Sequence, residues 1–320
     1  MHQLVSKQKL TIRAHRKGVF YELFVKHWRL TIMIAPVVLY VLLFSYFPMF
    51  GIILAFKDFN YTKGILGSDW TGFVNFKYLF QSGIILRVTV NTVLYNLAFI
   101  ISGTVVQITV ALFLSDIPGK HYKKATQTMM LFPFFISWVV AGSIVFNLLS
   151  NRYGLINNLL TSFGMAKIDF MNTPGLWPFI ILFFQVWKGV GYGSIVYLSA
   201  ISGIDHEIYE AAEIDGASIF MRIRRVTLPL LKPTVVILIL LALGNIVRGD
   251  FAMFYNLTGN NALLFNVTDI VDTFVFRSLI NMQNYGMSTA AGLYQSILGF
   301  ILIISVNAVL RKVQPDYSLF

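Results

Sequence analysis

The sequence contains no cysteine and few charged residues. Without cysteine, disulfide bonds, thiolate metal sites and cysteine nucleophiles are all excluded. Charged residues make up only 12% of the 320 residues, whereas hydrophobic residues make up 57% and the mean hydropathy is +0.71. Soluble domains are about one quarter charged, so this composition indicates a protein embedded in a membrane.

The chain also lacks the short motifs that mark nucleotide and metal sites. No Gly-x-x-x-x-Gly-Lys-Ser/Thr loop occurs, so the chain has no nucleotide site of that type. The run Gly189, Gly191 and Gly193 lies inside an apolar stretch with no strand before it, which favours close helix packing over phosphate binding. The five histidines do not have metal-ligand spacing. We therefore expect no catalytic residues, no metal site and no cofactor in this chain.

The net charge of +11 is distributed in a way that argues against nucleic acid binding. Basic residues cluster next to apolar segments and do not form a basic face with interleaved aromatic residues. Residues 1–29 are rich in Lys and Arg and contain Glu22 as their one acid. This pattern is typical of cytoplasmic segments beside membrane spans, which follow the positive-inside rule.

Six apolar segments predict an all-α membrane protein with six transmembrane helices. The expected spans are about 30–56, 93–114, 126–149, 176–200, 234–250 and 291–311. Both termini are predicted to be cytoplasmic, because that orientation places about twice as many Lys and Arg inside as outside. The predicted parts are a basic cytoplasmic arm (1–29), a transmembrane domain (30–312) and a cytoplasmic tail (313–320).

The polar loop 201–233, between the fourth and fifth spans, carries the most informative pattern. Asp205 is placed to cap a helix over 206–214, and Glu207, Glu210 and Glu213 fall on one side of that helix. Gly216 is expected to end the helix in a left-handed conformation. A second short helix is expected from Arg222, before prolines at 229 and 233 mark the entry to the fifth span. The plain alternative is an amphipathic hairpin lying on the membrane, but an anionic leaflet would repel three acids. A basic protein partner suits this face better.

This loop resembles the EAA signature of binding-protein-dependent ABC import permeases. The matching residues are Glu210, Ala211, Ala212, Asp215, Gly216, Ala217, Ser218, Leu228 and Pro229. The chain from about 87 to 311 resembles the whole permease core, preceded by one extra span, as in sugar permeases of the maltose-transporter type. His206 and Ile223 depart from the residues usual at their positions, which are proline and phenylalanine.

The resemblance implies a type I ABC importer fold in the bacterial cytoplasmic membrane, working by alternating access. It implies a coupling helix that docks on a separate ATPase through Glu207, Glu210, Ala211, Ala212, Glu213, Asp215 and Gly216. The implied partners are two ATPase subunits that bind ATP and Mg, a second homologous permease subunit and an extracytoplasmic sugar-binding protein.

A second region resembles the subset of these permeases that carry polysaccharides or complex oligosaccharides, such as alginate and aldouronate importers. It comprises the stretches 250–260, 269–277 and 285–292 and the ending 315–320. Aromatic faces beside amide and carboxylate groups suit a carbohydrate. The expected substrate pathway contains Lys188, Tyr192, Asp250, Phe254, Tyr255 and Asn256.

Alternatives stay open for these residues and for the whole chain. For each of Phe251, Phe254 and Tyr255, packing is the alternative explanation. For Lys188, the one clear charge within a span, the alternative is a side chain that extends towards the interface. An ion-coupled secondary transporter is the second candidate function, although inverted repeats and mid-membrane acids or histidines are not evident. A membrane subunit without transport activity is a third.

Overall fold

The computed structural model describes residues 28–313, which form an almost entirely helical chain. The predicted arm therefore lies outside the described residues except for its last two positions. The predicted tail and the ending 315–320 lie outside them as well, apart from Val313.

Five helices are long and apolar enough to cross a membrane, and a bent pair of helices supplies a sixth crossing. The five are Trp28–Phe56, Ile84–Asp116, Pro174–Ser202, Ile219–Leu243 and Tyr285–Ala308. The bent pair is Lys120–Phe135 with Trp138–Leu149, whose axes meet at 92°. Apolar segments form helices in a bilayer because every backbone N–H and C=O must find its partner within the segment. The predicted all-α fold with six crossings is confirmed.

The helices are numbered α1 to α15 in chain order. Those up to the fourth span are α1 Trp28–Val41, α2 Gly64–Gly67, α3 Val74–Gln81, α4 Ile84–Asp116, α5 Lys120–Phe135, α6 Trp138–Leu149, α7 Leu155–Ser162 and α8 Trp177–Ser202. Those that follow are α9 His206–Ile214, α10 Ile219–Arg222, α11 Leu228–Leu243, α12 Phe251–Thr258, α13 Phe265–Thr268, α14 Val271–Ile280 and α15 Tyr285–Val313. A short antiparallel pair, β1 Lys57–Asp58 with β2 Asp69–Trp70, follows the first span.

Four of the predicted spans differ from the observed ones; the sixth begins at Tyr285 instead of about 291. The second begins at Ile84 instead of about 93, and the third is broken at Ile136–Ser137 instead of continuous. The fifth begins at Ile219 and ends at Leu243, so the expected range of 234–250 was placed too late. Hydropathy predicts the apolar centre of a helix. It does not predict the first and last residues of a helix whose polar ends extend beyond the membrane.

The second short helix predicted from Arg222 is not a separate element. A π-helical turn at Ile223–Thr227 joins α10 to α11, so the helix continues through the Leu-Pro pair. Pro229 lies just after the π-helical turn, so its missing N–H falls where the regular hydrogen-bond pattern of the helix is already interrupted. The prolines therefore did not mark the entry to the span.

The buried side chains form three clusters along the bundle. One surrounds Trp177 and Phe254, a second surrounds Phe274 and Ala290, and a third, near the polar loop, surrounds Tyr197 and Leu231. Gly191 belongs to the packing of α8 on α5, because a Cβ there would overlap the Met130 carbonyl. This contact agrees with the interpretation of the glycine run as a helix-packing feature.

Candidate functional site

The loop between the fourth and fifth spans has the local structure that its residues predict. The Asp205 carboxylate accepts a hydrogen bond from the Glu207 N–H at 3.1 Å and caps α9. Gly216 has φ +75°, a value that favours glycine, and reverses the chain after α9. The Ala217 N–H then donates to the Ala212 carbonyl at 2.9 Å, as in a Schellman motif. The helix and its turn are therefore confirmed.

The water-facing side of α9 combines acids with exposed apolar side chains. The acidic residues on it are exposed: Glu207, Glu210, Glu213 and Asp215. Ala211 is also exposed, while Ala212 is half-buried. Ile214 is 87% exposed and Phe220, just beyond the turn, is 73% exposed. Exposed apolar side chains among charges are typical of a surface that meets a partner.

Within residues 28–313, basic side chains compensate this acidic surface only in part. Glu213 pairs with Arg222 at 3.3 Å, and Glu210 lies 3.9 Å from the His206 ring. Both carboxylates stay well exposed, at 72% and 65% of their side-chain area. The surface thus retains acids that a basic partner would meet.

A hydrogen bond that sequence reasoning missed anchors α9 to the fifth span. The hydroxyls of Tyr209 and Thr227 lie 3.0 Å apart, and both residues line a cavity of about 340 Å³ behind α9. Any displacement of α9 therefore acts on the base of the fifth span as well as on α8. No spacing pattern pointed to this pair, because Thr227 belongs to a helical segment that was not expected.

A second feature is a cleft of about 470 Å³ between α4, α8 and α11, whose mostly apolar wall carries several polar side chains. Four amide side chains line it: Asn96 and Gln107 of α4, Gln185 of α8 and Asn245 just after α11. Gly193 makes room for Gln107, because a Cβ at position 193 would overlap the side-chain amide of Gln107. Amides inside membrane helices are costly unless they face polar partners or a water-filled cavity, so the cleft is the candidate pathway.

Only one of the six predicted pathway residues lines this cleft. Tyr192 does so, and its ring stacks on Phe134 with centroids 4.9 Å apart. Lys188 instead turns towards α5, with its amine 2.6 Å from the carbonyl oxygens of Phe134 and Ile136. Asp250 caps α12 and accepts a hydrogen bond from Trp138 Nε1 at 2.7 Å.

The other three predicted residues lie on α12 and serve packing. Phe254 is 2% exposed and meets Tyr95 edge to face at 4.8 Å, so it is a core residue. Tyr255 stacks on Phe251 at 5.2 Å. The side-chain amide of Asn256 donates to the Ala252 carbonyl, and the backbone carbonyl of Asn256 lies against Gly142 of α6. The packing alternative describes these contacts.

Sequence reasoning missed Arg248, which lines the outer end of the cleft. It lies in the non-helical segment after α11, where Asn96 Nδ2 donates to the carbonyls of Ile246 at 2.9 Å and Arg248 at 3.0 Å. The signal available in the sequence was the set of amide residues in otherwise apolar spans. Polar residues inside a membrane are costly and usually mark a functional site.

Two carboxylates fix the region outside the spans around this cleft. Asp269, which is 1% exposed, forms a bidentate pair with Arg277, with 3.0 Å between Nη1 and Oδ1. Asp272 accepts hydrogen bonds from the Gly249 N–H at 2.8 Å and from Gln295 at 3.0 Å. Burial raises the pKa of the Asp272 carboxyl above its ordinary 3.8, although these two donors and Arg248 act to lower it.

Comparison with known proteins places this architecture in one family. The family model for binding-protein-dependent transport system inner membrane components matches residues 107–315. Protein LplB of Bacillus subtilis (strain 168) is 33% identical over 318 residues, which cover 99% of both chains. The polygalacturonan/rhamnogalacturonan transport system permease protein YteP of the same organism is 37% identical over 287 residues, or 88% of each chain.

A solved structure agrees with these sequence matches. The crystal structure of a bacterial ABC transporter involved in the import of the acidic polysaccharide alginate contains a chain that is 30% identical, with a TM-score of 0.82. The match covers 92% of this chain and 99% of that one. These comparisons give no support to a secondary transporter. The predicted type I importer fold and the location in the cytoplasmic membrane are confirmed, and the chain is a transport component. It belongs to the family of binding-protein-dependent transport system inner membrane components, the membrane permease subunits of ABC importers.

Proposed function

We propose that this permease subunit carries an acidic oligosaccharide or polysaccharide fragment into the cell, driven by a separate ATPase that docks on α9. The observation that carries the proposal is the cleft between α4, α8 and α11, where Arg248 is the cationic residue among amide side chains. An oligosaccharide offers hydroxyls to such amides, and a uronate adds a carboxylate for a guanidinium.

The relatives support the same substrate class. YteP is described as a polygalacturonan/rhamnogalacturonan permease, and the similar solved structure belongs to an importer of the acidic polysaccharide alginate. Tyr192 provides an aromatic face against which a sugar ring packs. The cleft lies open along one side of the bundle, and we propose that a second homologous permease subunit closes it in a heterodimer.

The exposed acidic surface of α9 supports the docking of a motor protein. Glu207, Glu210 and Glu213 are exposed at the end of the spans opposite the end where Arg248 lies. Ile214 adds an exposed apolar side chain beside them. A groove with basic walls and an apolar floor would accept this helix. We propose two such ATPase subunits, each binding ATP and Mg, with one on each permease chain. Closure of the pair would move the spans between inward-facing and outward-facing states.

We propose that an extracytoplasmic sugar-binding protein delivers the substrate. A related solved structure shows the alginate transporter in complex with a periplasmic protein bound to an alginate pentasaccharide. In the present chain, ion pairs and hydrogen bonds hold the segments outside the spans to one another and to the spans, including Arg277–Asp269 and Asn91 of α4 with Asp269. Such a rigid outer surface suits the docking of a loaded binding protein.

The test compares uptake of acidic and neutral oligosaccharides of equal length by the assembled importer in proteoliposomes. Arg248→Gln removes the charge and keeps a polar side chain of similar reach. We expect the KM for the acidic substrate to rise about tenfold or more, because a charge-assisted hydrogen bond is lost, while uptake of a neutral substrate changes little.

Lys77→Gln is the matched control, because Lys77 belongs to α3, outside the spans and away from the cleft. Equal KM values for acidic substrate in the Arg248 variant and in this control would count against an acidic substrate in the cleft.

A further inference from the structure

The break between α5 and α6 is held by a side chain from another helix. Lys188 Nζ donates to the carbonyls of Phe134 and Ile136, both at 2.6 Å, and lies 3.5 Å from that of Pro133. An ammonium has three N–H donors, so these carbonyls account for all three of them. They lie at or just beyond the C-terminal end of α5, where a helix runs out of amide donors for its last carbonyls. The Pro133 carbonyl also accepts from the Ile136 N–H, so the donors from Lys188 matter most for Phe134 and Ile136.

The charge of Lys188 suits this position as well as its donors do. The C-terminus of a helix carries a partial negative charge, which a cation stabilises. The rings of Phe134 and Trp138 add cation–π contacts, with centroids 5.5 and 5.3 Å from Nζ. Since a lysine within a span is costly unless it is paired, these contacts explain how the bundle accommodates it.

The other side of the break is fixed to a different part of the molecule. Ser137 caps α6 by accepting a hydrogen bond from the Val140 N–H. Trp138, the first residue of α6, donates to Asp250, which also caps α12 by accepting from the Met253 N–H at 3.0 Å. Thus α5 is fastened to α8, and α6 is fastened to α12 while its first residue, Trp138, also contacts Lys188 of α8. The 92° bend between α5 and α6 is called the joint.

Helix α8 leads from this joint directly to α9. Lys188 lies about 20 Å along the axis from the end of α8, at about 1.5 Å per residue. Only residues 203–205 separate α8 from α9, and the Gly203 N–H still bonds to the Ser199 and Ala200 carbonyls. A displacement of α9 therefore reaches the joint through one continuous helix.

We propose that Lys188 is a positioning residue that links α8 to the joint, so that the angle between α5 and α6 changes when α9 moves. This inference rests on the proposed docking of an ATPase on α9. It gives Lys188 a mechanical role in the transport cycle and leaves substrate contact to the residues of the cleft.

The test measures the angle at the joint in the assembled importer. Because the chain has no cysteine, spin labels can be attached at Met129→Cys on α5 and Phe146→Cys on α6, two exposed positions. The inter-label distance is recorded by pulsed electron resonance without nucleotide and after trapping with ATP and vanadate. We expect the distance to change on trapping in the parent protein. We expect Lys188→Met to abolish that change and to lower kcat for uptake about tenfold or more, with KM little altered.

Lys57→Met is the matched control. Lys57 Nζ also donates to two carbonyls, those of Ile65 and Leu66, but it lies outside the spans and away from α8. This variant should keep the distance change. Lys188→Arg is the second variant, for use if Lys188→Met does not assemble. It retains a cation with N–H donors, so we expect it to assemble and to keep the distance change.

Three results would each refute either the proposed role of Lys188 or the proposed ATPase coupling. A normal distance change in Lys188→Met would refute the mechanical link. A rise in KM confined to acidic substrates, with the distance change intact, would return Lys188 to substrate binding. Absence of any change in the parent protein, with uptake insensitive to ATP, would instead refute the proposed ATPase coupling.

Discussion

Replacing Arg277 by methionine removes one partner of a buried ion pair and keeps most of the side-chain volume. Asp269 and Arg277 are 1% and 9% exposed, and the guanidinium also lies 4.0 Å from the centroid of the Phe265 ring. Breaking a buried pair leaves an uncompensated charge, which costs about 3–5 kcal/mol. We expect Arg277→Met to lower the free energy of unfolding of the subunit by that amount, measured by SDS titration of the assembled importer in mixed micelles.

The exposed pair Lys63–Asp69 provides the control for this prediction. Its side chains are 47% and 74% exposed, so Lys63→Met should cost about 1 kcal/mol or less. The double variant Asp269→Leu with Arg277→Met should recover part of the loss, because no buried charge remains. The reasoning is refuted if Arg277→Met costs no more than Lys63→Met, or if the double variant is less stable than the single one.

Two further predictions concern packing and pH. Gly191→Ala should destabilise the subunit by about 1–3 kcal/mol in the same titration, because the new methyl group overlaps the Met130 carbonyl, whereas Gly292→Ala, with open space, should be neutral or slightly stabilising. Since the pKa of Asp272 is raised in the folded protein, its contribution to stability is complete below the unfolded pKa and is lost as pH rises through the folded pKa. The stability of the parent protein relative to Asp272→Asn should therefore fall as pH rises from about 4 to 7; a constant difference would contradict this explanation.

Local signals in the sequence were sufficient to predict helix α9 and the turn that ends it. Asp205, the acids at i, i+3 spacing and Gly216 each act on neighbours within one or two helical turns, so their effect does not depend on the rest of the fold. The presence of the spans was also predictable, because a bilayer selects long apolar helices.

Features that depend on contacts distant in sequence were not predictable in this way. Lys188 was recognised as unusual, but its carbonyl partners lie in a helix that breaks at Ile136, and that break was not expected. Phe254 and Tyr255 are adjacent aromatic residues of one short helix, yet Phe254 is buried. Arg248 gave no motif at all, because its place in the cleft depends on Asn96 holding the segment after α11.

The docking of a separate ATPase on α9 is tested most directly by reversing one charge on its surface. The importer is reconstituted with Glu210→Lys in this subunit, and ATP hydrolysis and sugar uptake are measured together with the loaded binding protein present. Asp58→Lys, an exposed acid outside the spans, is the control. We predict that Glu210→Lys lowers uptake about tenfold or more while the permease subunits stay assembled, and that Asp58→Lys changes it little. Uptake and hydrolysis that match the control in the Glu210 variant would contradict the docking of the ATPase on this helix.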